Sequence, residues 1–333
     1  MRILFDHASP FALAHGGFQI QIEQTRNALQ RIGVEVEVLH WWDSSQRADV
    51  IHYFGRPVAA YIERAHDQRI KVVMCELLTG TGSRSGLARG TQQLVMQLGR
   101  KFFPSAYLNR LAWNSYQLAD ACIAVTSWEA RIMRRMFHAP LERIHVVPNG
   151  VEDVFLKSPA SERGSWLVCT ATITERKRVV ELAAAAVEAG TPLWIIGKPY
   201  SESDPYFLSF LQLHRANPQI VKYEGAIEDR ATIAAVYRQA RGFVLLSAME
   251  SLSLSALEAA ACRCPLLLSD LQWAKSVFGD SATYCPVKAS TRATARSLRE
   301  FYDAAESLPP PSMPKSWSEV AQQLKAIYES VIG

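Results

Sequence analysis

Short apolar runs alternating with helix-like stretches predict an α/β chain built on doubly wound parallel sheets. Three observations carry that prediction. The apolar runs are short and uninterrupted, as strands covered on both faces are. The alternation breaks at the turn signal Pro148-Asn149-Gly150 and then starts again. A length of 333 residues suits two medium domains better than one.

In the first half, Arg2–Phe5 reads as a short buried strand. Phe18–Arg31 reads as a helix, with Ile20, Ile22, Ala28, Leu29 and Ile32 near one face. Val34–Leu39 alternates apolar and acidic residues, and Val50–Tyr53, Lys71–Met74, Ala121–Val125 and His145–Val147 are further strands. In the second half, strands are predicted at Trp166–Thr170, Pro192–Ile196, Val221–Tyr223, Gly242–Leu246 and Pro265–Leu268. Helices are predicted at Arg178–Ala189, Tyr206–Ala216, Ala231–Gln239 and Leu257–Cys262. This gives two Rossmann-like halves, expected to face a cleft, over residues 1–150 and 151–312. After the break Leu308-Pro309-Pro310-Pro311-Ser312, a last helix Trp317–Val331 carries Val320, Leu324, Ile327, Tyr328 and Val331 on one side.

Composition narrows the class. The chain is 49% hydrophobic and 20% charged, as soluble globular proteins are. A net charge of +4 does not call for nucleic acid. Met1-Arg2 runs into Ile3-Leu4-Phe5, too short an apolar segment for export, and no run approaches a membrane span. Six scattered cysteines, with Cys262-x-Cys264 lacking zinc spacing and clustered histidines, read as reduced thiols of a cytoplasmic protein without a metal site.

Glu250 and Glu258 bracket Ser251-Leu252-Ser253-Leu254-Ser255-Ala256-Leu257. The strand-like Gly242–Leu246 leads in and an alanine-rich helix leads out, so one carboxylate is expected on the loop and the other in the first helical turn. In open α/β sheets that crevice takes ligands. A carboxylate accepts hydrogen bonds from two neighbouring sugar hydroxyls at once, and a helix N-terminus favours phosphate. Ser255-x-x-Glu258 also reads as a capping box, in which Glu258 serves only the helix start.

Arg176, Lys177 and Arg178 cluster where a helix is expected to begin, with Thr172-x-x-Glu175 as its cap. Cations there oppose the helix dipole unless they reach water or an anion such as a diphosphate. His15-Gly16-Gly17-Phe18 separates the first strand from the first helix, and its glycines permit close backbone approach to a phosphate. From Leu77 to Ala119 there is no acidic residue, while Arg84, Arg89, Arg100, Lys101 and Arg110 are interleaved with Phe102, Phe103, Tyr107, Trp113 and Tyr116. That pattern reads either as a face for an anionic membrane or lipid-linked acceptor, or as a solvated basic face over a buried aromatic cluster.

Taken together, these residues resemble the GT-B glycosyltransferases, specifically the retaining group called family 4. The resemblance spans nearly the whole length and rests on Gly16-Gly17, on Val146-Val147-Pro148-Asn149-Gly150-Val151-Glu152, on the basic segment around Lys177, on the spaced glutamates and on the closing Trp317–Tyr328 helix. It implies that residues 313–333 cross back to the first domain, which holds the acceptor, while the second holds a nucleotide-sugar donor. It implies that Glu250 contacts sugar hydroxyls, Glu258 the ribose, and the amides of Ser251, Leu252, Ser253 and Leu254 the sugar and phosphates. Gly17 would approach the diphosphate, Lys177 would neutralise it, and Ile227 would lie near the base. The chain departs from the family in having Ser251-Leu252-Ser253 for Gly-Phe-Gly, Ala171-Thr172 for Gly-Arg, and Cys75-Glu76 where a histidine often stands. In this resemblance Arg176 or Arg178 would stand in for the absent arginine. The expected activity is retaining, metal-independent sugar transfer to a carbohydrate or lipid-linked acceptor, with no cofactor, by a cytoplasmic enzyme peripheral to the membrane. A non-catalytic nucleotide-sugar-binding or scaffold subunit is the alternative.

Overall fold

A computed structural model describes residues 1–7, 11, 16–102, 112–157 and 162–333. The chain divides into two compact units, Met1–Asn149 with Trp317–Gly333, and Gly150–Ser316.

The first unit is a six-stranded sheet in the order β2-β1-β3-β4-β5-β6. Its strands are β1 (Arg2–His7), β2 (Glu35–Val38), β3 (Val50–Phe54), β4 (Lys71–Cys75), β5 (Ala121–Ala124) and β6 (Ile144–Val146). Every pairing is parallel; β1 sits between β2 and β3, with Ile3 beside both Val36 and Val50. Helices α1 (Gly17–Arg31), α2 (Ala59–Asp67), α3 (Gly86–Phe102) and α4 (Ser127–Phe137) accompany the sheet. Helix α1 buries Gln21, Ile22, Thr25, Ala28 and Leu29. Ile20, expected on that face, is only half-buried because the inward stripe is centred between Ile22 and Leu29. Tyr116, one of the aromatics that read either as a membrane face or as a buried cluster, lies fully buried and stacks on Phe137. Phe103, Tyr107 and Arg110 lie outside the described residues.

The second unit has the order β12-β11-β10-β7-β8-β9, again all parallel. Its strands are β7 (Leu167–Thr170), β8 (Leu193–Ile196), β9 (Val221–Tyr223), β10 (Gly242–Leu245), β11 (Leu266–Ser269) and β12 (Thr283–Cys285). Helices α5 (Val179–Ala189), α6 (Pro205–Ala216), α7 (Arg230–Gln239), α8 (Leu254–Ala261), α9 (Gln272–Phe278) and α10 (Thr291–Ala304) alternate with them. Asp204, Asp229, Ser253 and Ser290 cap α6, α7, α8 and α10 with side-chain oxygens, each cap worth about 1 kcal/mol.

The final helix, α11 (Trp317–Ile332), belongs to the first unit. It buries Trp317, Val320, Ala321, Leu324, Ile327 and Tyr328. The Tyr328 hydroxyl lies 2.6 Å from Nδ1 of the buried His52 on β3. All six cysteines are free and buried. Burial pushes the thiols of Cys75, Cys122, Cys169 and Cys264 up to about 12, so they stay protonated and inert.

Candidate active site

The second sheet has one point where the chain reverses its direction of growth. From β7 it proceeds outward to β8 and β9, then returns through β10 to the other side of β7. The crevice beyond the carboxyl ends of β7 and β10 is therefore the topological switch point, the usual ligand position in open α/β sheets. The two loops that leave those strands carry the basic cluster and Glu250.

The loops are tied together by backbone and side chains. The Ala248 amide donates to the Arg176 carbonyl at 2.8 Å. Arg176 Nη1 donates to the Met249 carbonyl at 3.0 Å and to Glu250 Oε1 at 2.9 Å. Lys177 Nζ donates to the same carboxylate oxygen. Glu250 is only 8% exposed. Burial alone would raise its carboxyl, but Lys177 and Arg176 against it hold it below the ordinary value. The structure thus presents an ionised carboxylate and two cations as one unit.

Arg178 does not join them. It adopts a left-handed conformation with φ of 54°, and its guanidinium donates to the Val287 carbonyl and lies 3.9 Å from Glu181. The expected cap Thr172-x-x-Glu175 is also corrected. Glu175–Lys177 forms a short 3-10 turn, and α5 begins only at Val179 with Arg178 as its N-cap residue. Lys177 and Arg178 thus stand just before the helix, at the positive end of its dipole, and the carboxylates of Glu250 and Glu181 offset their charge. Thr172 lies half-buried in this loop.

Glu258 is in the second turn of α8, not the first, because the helix starts at Leu254, three residues earlier than predicted. The capping reading fails for the same reason. Ser253 is the cap, its Oγ accepting from the Ala256 amide at 3.3 Å, and Glu258 faces inward at 7% exposure. There it receives Arg230 Nη2, while Arg230 Nε donates to Glu152 Oε1 at 2.7 Å. The Arg230 guanidinium rests 4.7 Å from the centre of the Phe155 ring. Burial, opposed by Arg230, pushes the Glu258 carboxyl up to about 7.

Between the glutamates, Ser251, Leu252 and Ser253 are buried, and Leu254 is half-buried at the start of α8. Ile227 is half-buried in the loop from β9 to α7. In the first unit, Gly16 is the N-cap of α1 with φ of 143°, open to glycine but strained for other residues, and Gly17 is the first helical residue. His15 lies outside the described residues.

Three features escaped the sequence reading. Arg230 is one; a cation opening a helix was the signal that singled out Lys177, and it applies here too. Gly197 is the second: a Cβ there would lie 1.9 Å from the Ala171 carbonyl oxygen, so only glycine lets β8 pass the loop that carries Lys177. The third lies beyond β3 and β4 of the first unit, where Arg56 grips Glu76 through Nε and Nη2 at 2.7 Å each and Tyr116 donates to the same carboxylate. Among the described residues, no group of three or more His, Cys, Asp or Glu side chains is spaced to hold a metal ion. None of the described helices is long and apolar enough to cross a membrane.

Residues 153–323 match the model of the glycosyl transferases group 1, and residues 39–154 match that of glycosyltransferase family 4. No curated protein matches the chain in direct sequence comparison. Solved structures do. HepE of Anabaena, in complex with UDP, superposes with a TM-score of 0.68 at 14% identity, over 99% of this chain and 100% of that one. The sucrose-phosphate synthase of Thermosynechococcus elongatus gives 0.66 at 15% identity over 99% of both chains. A glycosyltransferase of Rickettsia africae gives 0.65 at 10% identity, over 99% and 98%. At these identities the likeness is one of fold, and the fold is GT-B.

Proposed function

The chain belongs to the glycosyl transferases group 1, and we propose that it moves a sugar from a nucleotide donor to an acceptor hydroxyl, with retention of configuration and without a metal. One observation carries this reading: the Lys177–Glu250–Arg176 cluster at the switch point of the second sheet. A nucleotide sugar joins a neutral, hydroxyl-rich ring to a doubly charged diphosphate through one oxygen. A carboxylate for the hydroxyls with cations directly against it for the phosphates matches that junction.

In this reading Glu250 accepts from hydroxyls of the transferred sugar and Glu258 from the ribose. The amides of Ser251, Leu252, Ser253 and Leu254 turn toward sugar and phosphate, and Ile227 lies against the base. The acceptor oxygen attacks the anomeric carbon on the face the diphosphate leaves. The carbon–oxygen bond to phosphate breaks, the new glycosidic bond forms, and the acceptor proton passes to the departing phosphate oxygen. Lys177 and Arg176 stabilise the charge that develops there, which is the work a metal does elsewhere. In the first unit, the α1 start at Gly16 and Gly17 offers backbone amides to an anion. UDP in the HepE structure supports a nucleotide donor. The acid-free basic segment supports a carbohydrate acceptor on a lipid carrier, used at the cytoplasmic membrane face.

The test is a panel of nucleotide sugars assayed for donor hydrolysis and transfer, with and without chelator. The product anomer is read by proton NMR. The expected result is turnover indifferent to chelator, with the donor's anomeric configuration kept. An inverted product, or donor binding with no turnover on any acceptor, overturns the reading.

A further inference from the structure

We propose that the corner of the first unit where β1 and β2 end binds a neutral oligosaccharide. Two observations meet there. The first is an aromatic pair on the loop after β2: Trp41 and Trp42 are 85% and 70% exposed. Adjacent indoles held in water are the ordinary currency of interaction surfaces. Their loop is built to hold them. The Gln46 side chain accepts from the His40 amide at 2.7 Å and donates to the Val38 carbonyl at 3.0 Å, so the loop closes back on the end of β2. His40 stacks on Trp42 with 5.1 Å between ring centres, and Trp41 stands edge-on to Trp42 at 5.6 Å. Rings fixed in this way lose little freedom when a ligand settles on them. The second observation is a pocket of about 390 Å³ between α1 and the ends of β1 and β2. Phe5, Phe11 and Val38 wall it, and His7, Glu23 and Arg26 supply its polar groups. His7 Nδ1 and Arg26 Nε are buried with no hydrogen-bond partner among the described residues. Buried polar atoms rarely stay unpaired, and two on the lining of one pocket point to a ligand that completes them. Trp41 follows Val38 by three residues, a reach of at most about 11 Å, so one ligand of a few linked rings can engage both parts.

The chemistry of the two parts identifies the occupant. A sugar ring turns C–H groups to its faces and hydroxyls to its rim. The C–H groups carry partial positive charge and rest on the negative face of an indole. A hydroxyl both donates and accepts, so it satisfies the Arg26 Nε–H and either tautomer of His7. Glu37 and Asp43, exposed near the indoles, accept from further hydroxyls and repel an anionic chain or an anionic bilayer. A protein partner or a second copy would call for a continuous apolar patch. The loop instead surrounds the rings with His40, Asp43, Ser44, Ser45 and Gln46. In the transfer reading this corner holds the acceptor and makes it an oligosaccharide instead of a single sugar. The proposal rests on that reading for the role of the site, while its test does not, because binding is measured without donor.

The protein is titrated with maltohexaose, cellohexaose and chitohexaose, and with a heparin hexasaccharide as the anionic control, by calorimetry and tryptophan fluorescence. Two variants accompany it: Trp41→Ala with Trp42→Ala, and Arg26→Met. The expected result is binding of at least one neutral oligosaccharide, tighter than that of the heparin fragment. Loss of both rings should weaken it about 10- to 100-fold. Arg26→Met should weaken it about tenfold or more, and should keep or raise the melting temperature, because no internal hydrogen bond of Nε is lost. Circular dichroism checks that each variant is folded, and placing them on loop and helix keeps the test open if one is not. No binding of any neutral oligosaccharide to the wild-type protein overturns the proposal, as does binding that survives both variants or a heparin fragment that binds as tightly. Self-association abolished by the tryptophan variant, without oligosaccharide binding, assigns the rings to a second copy and overturns it equally. Oligosaccharide binding without transfer from any donor upholds this site and sinks the transfer reading. Transfer to a single-sugar acceptor without oligosaccharide binding does the reverse.

Discussion

At Lys177 and Arg178, neighbouring cations have different tasks. Lys177 stands on Glu250, while Arg178 is spent on the Val287 carbonyl and Glu181. Lys177→Ala should weaken nucleoside-diphosphate binding about 10- to 100-fold, the equivalent of 1.5–3 kcal/mol for a charge-assisted hydrogen bond. Arg178→Ala should lower the melting temperature and leave binding unchanged; calorimetry and thermal unfolding of both variants separate the two. If Arg178→Ala weakens binding as much as Lys177→Ala, the division of labour is wrong. Glu250 also carries more of the fold than a loop carboxylate ordinarily does. Glu250→Ala leaves Lys177 buried against no counter-charge, so stability should fall along with transfer. Glu258 adds a pH dependence. Its carboxyl titrates near pH 7 and must be ionised to accept from two ribose hydroxyls. Binding of a nucleotide sugar, whose diphosphate does not titrate in that range, should tighten as pH rises and level off above about pH 7, weakening about tenfold per unit below it. Glu258→Gln should flatten the profile. A wild-type profile already flat from about pH 6 to pH 8 would remove Glu258 from the ribose.

At the scale of elements, the switch point depends on how closely β8 passes the loop after β7. Gly197→Ala drives a methyl group into the Ala171 carbonyl. The loop must shift, at about 1–3 kcal/mol for an overpacked site, and it carries Lys177 with it. Thermal unfolding and diphosphate binding should therefore worsen together; a stable variant with weakened binding, or the converse, would break the link between strand and loop. The strands themselves were legible because a parallel strand covered on both faces reads as an unbroken apolar run, and Val221–Tyr223 matches to the residue. Strand β12, Thr283-Tyr284-Cys285, sits at the sheet edge with no apolar run and was not read. Helix α10 was not read either, although Thr294, Ala295, Leu298 and Phe301 make its buried face, because its charged residues obscured the period. At the site, the residue types and the two loops were legible, since each follows its own strand. Their partners were not. Arg230 meets Glu258 across 28 residues and Lys177 meets Glu250 across 73, and such pairings exist only once the sheet order is known. Spacing also could not say which way Tyr116 points; interleaving with cations is equally a property of a core aromatic beneath a basic surface.

For the molecule as a whole, the two units should respond to acid in opposite directions. In the first, His52 is buried between Phe5 and Phe54, with its Nδ1 on the Tyr328 hydroxyl, and burial pushes its imidazole down to about 3. The unfolded chain takes up that proton near pH 6.5, so below 6.5 it holds more protons than the folded unit, and stability falls as pH falls from about 6.5 toward 3. His138 and His145, both lowered mainly by burial, act in the same direction in the same unit. In the second unit the sign reverses. Glu258 keeps its proton up to about pH 7 when folded, but releases it near pH 4.5 when unfolded. Between those values the folded unit holds the extra proton, so its stability rises as pH falls from about 7 to 4.5. Each group supplies a slope of at most about 1.4 kcal/mol per pH unit. Scanning calorimetry from about pH 7.5 to pH 5 should therefore show the first unit's transition moving down while the second holds or rises, so that one endotherm broadens or splits in acid. His52→Leu should remove much of the downward movement, and Glu258→Gln the opposing one, each without altering the other unit's slope. Two transitions that fall in parallel, in the wild type and in both variants, would show that neither buried group governs the acid response.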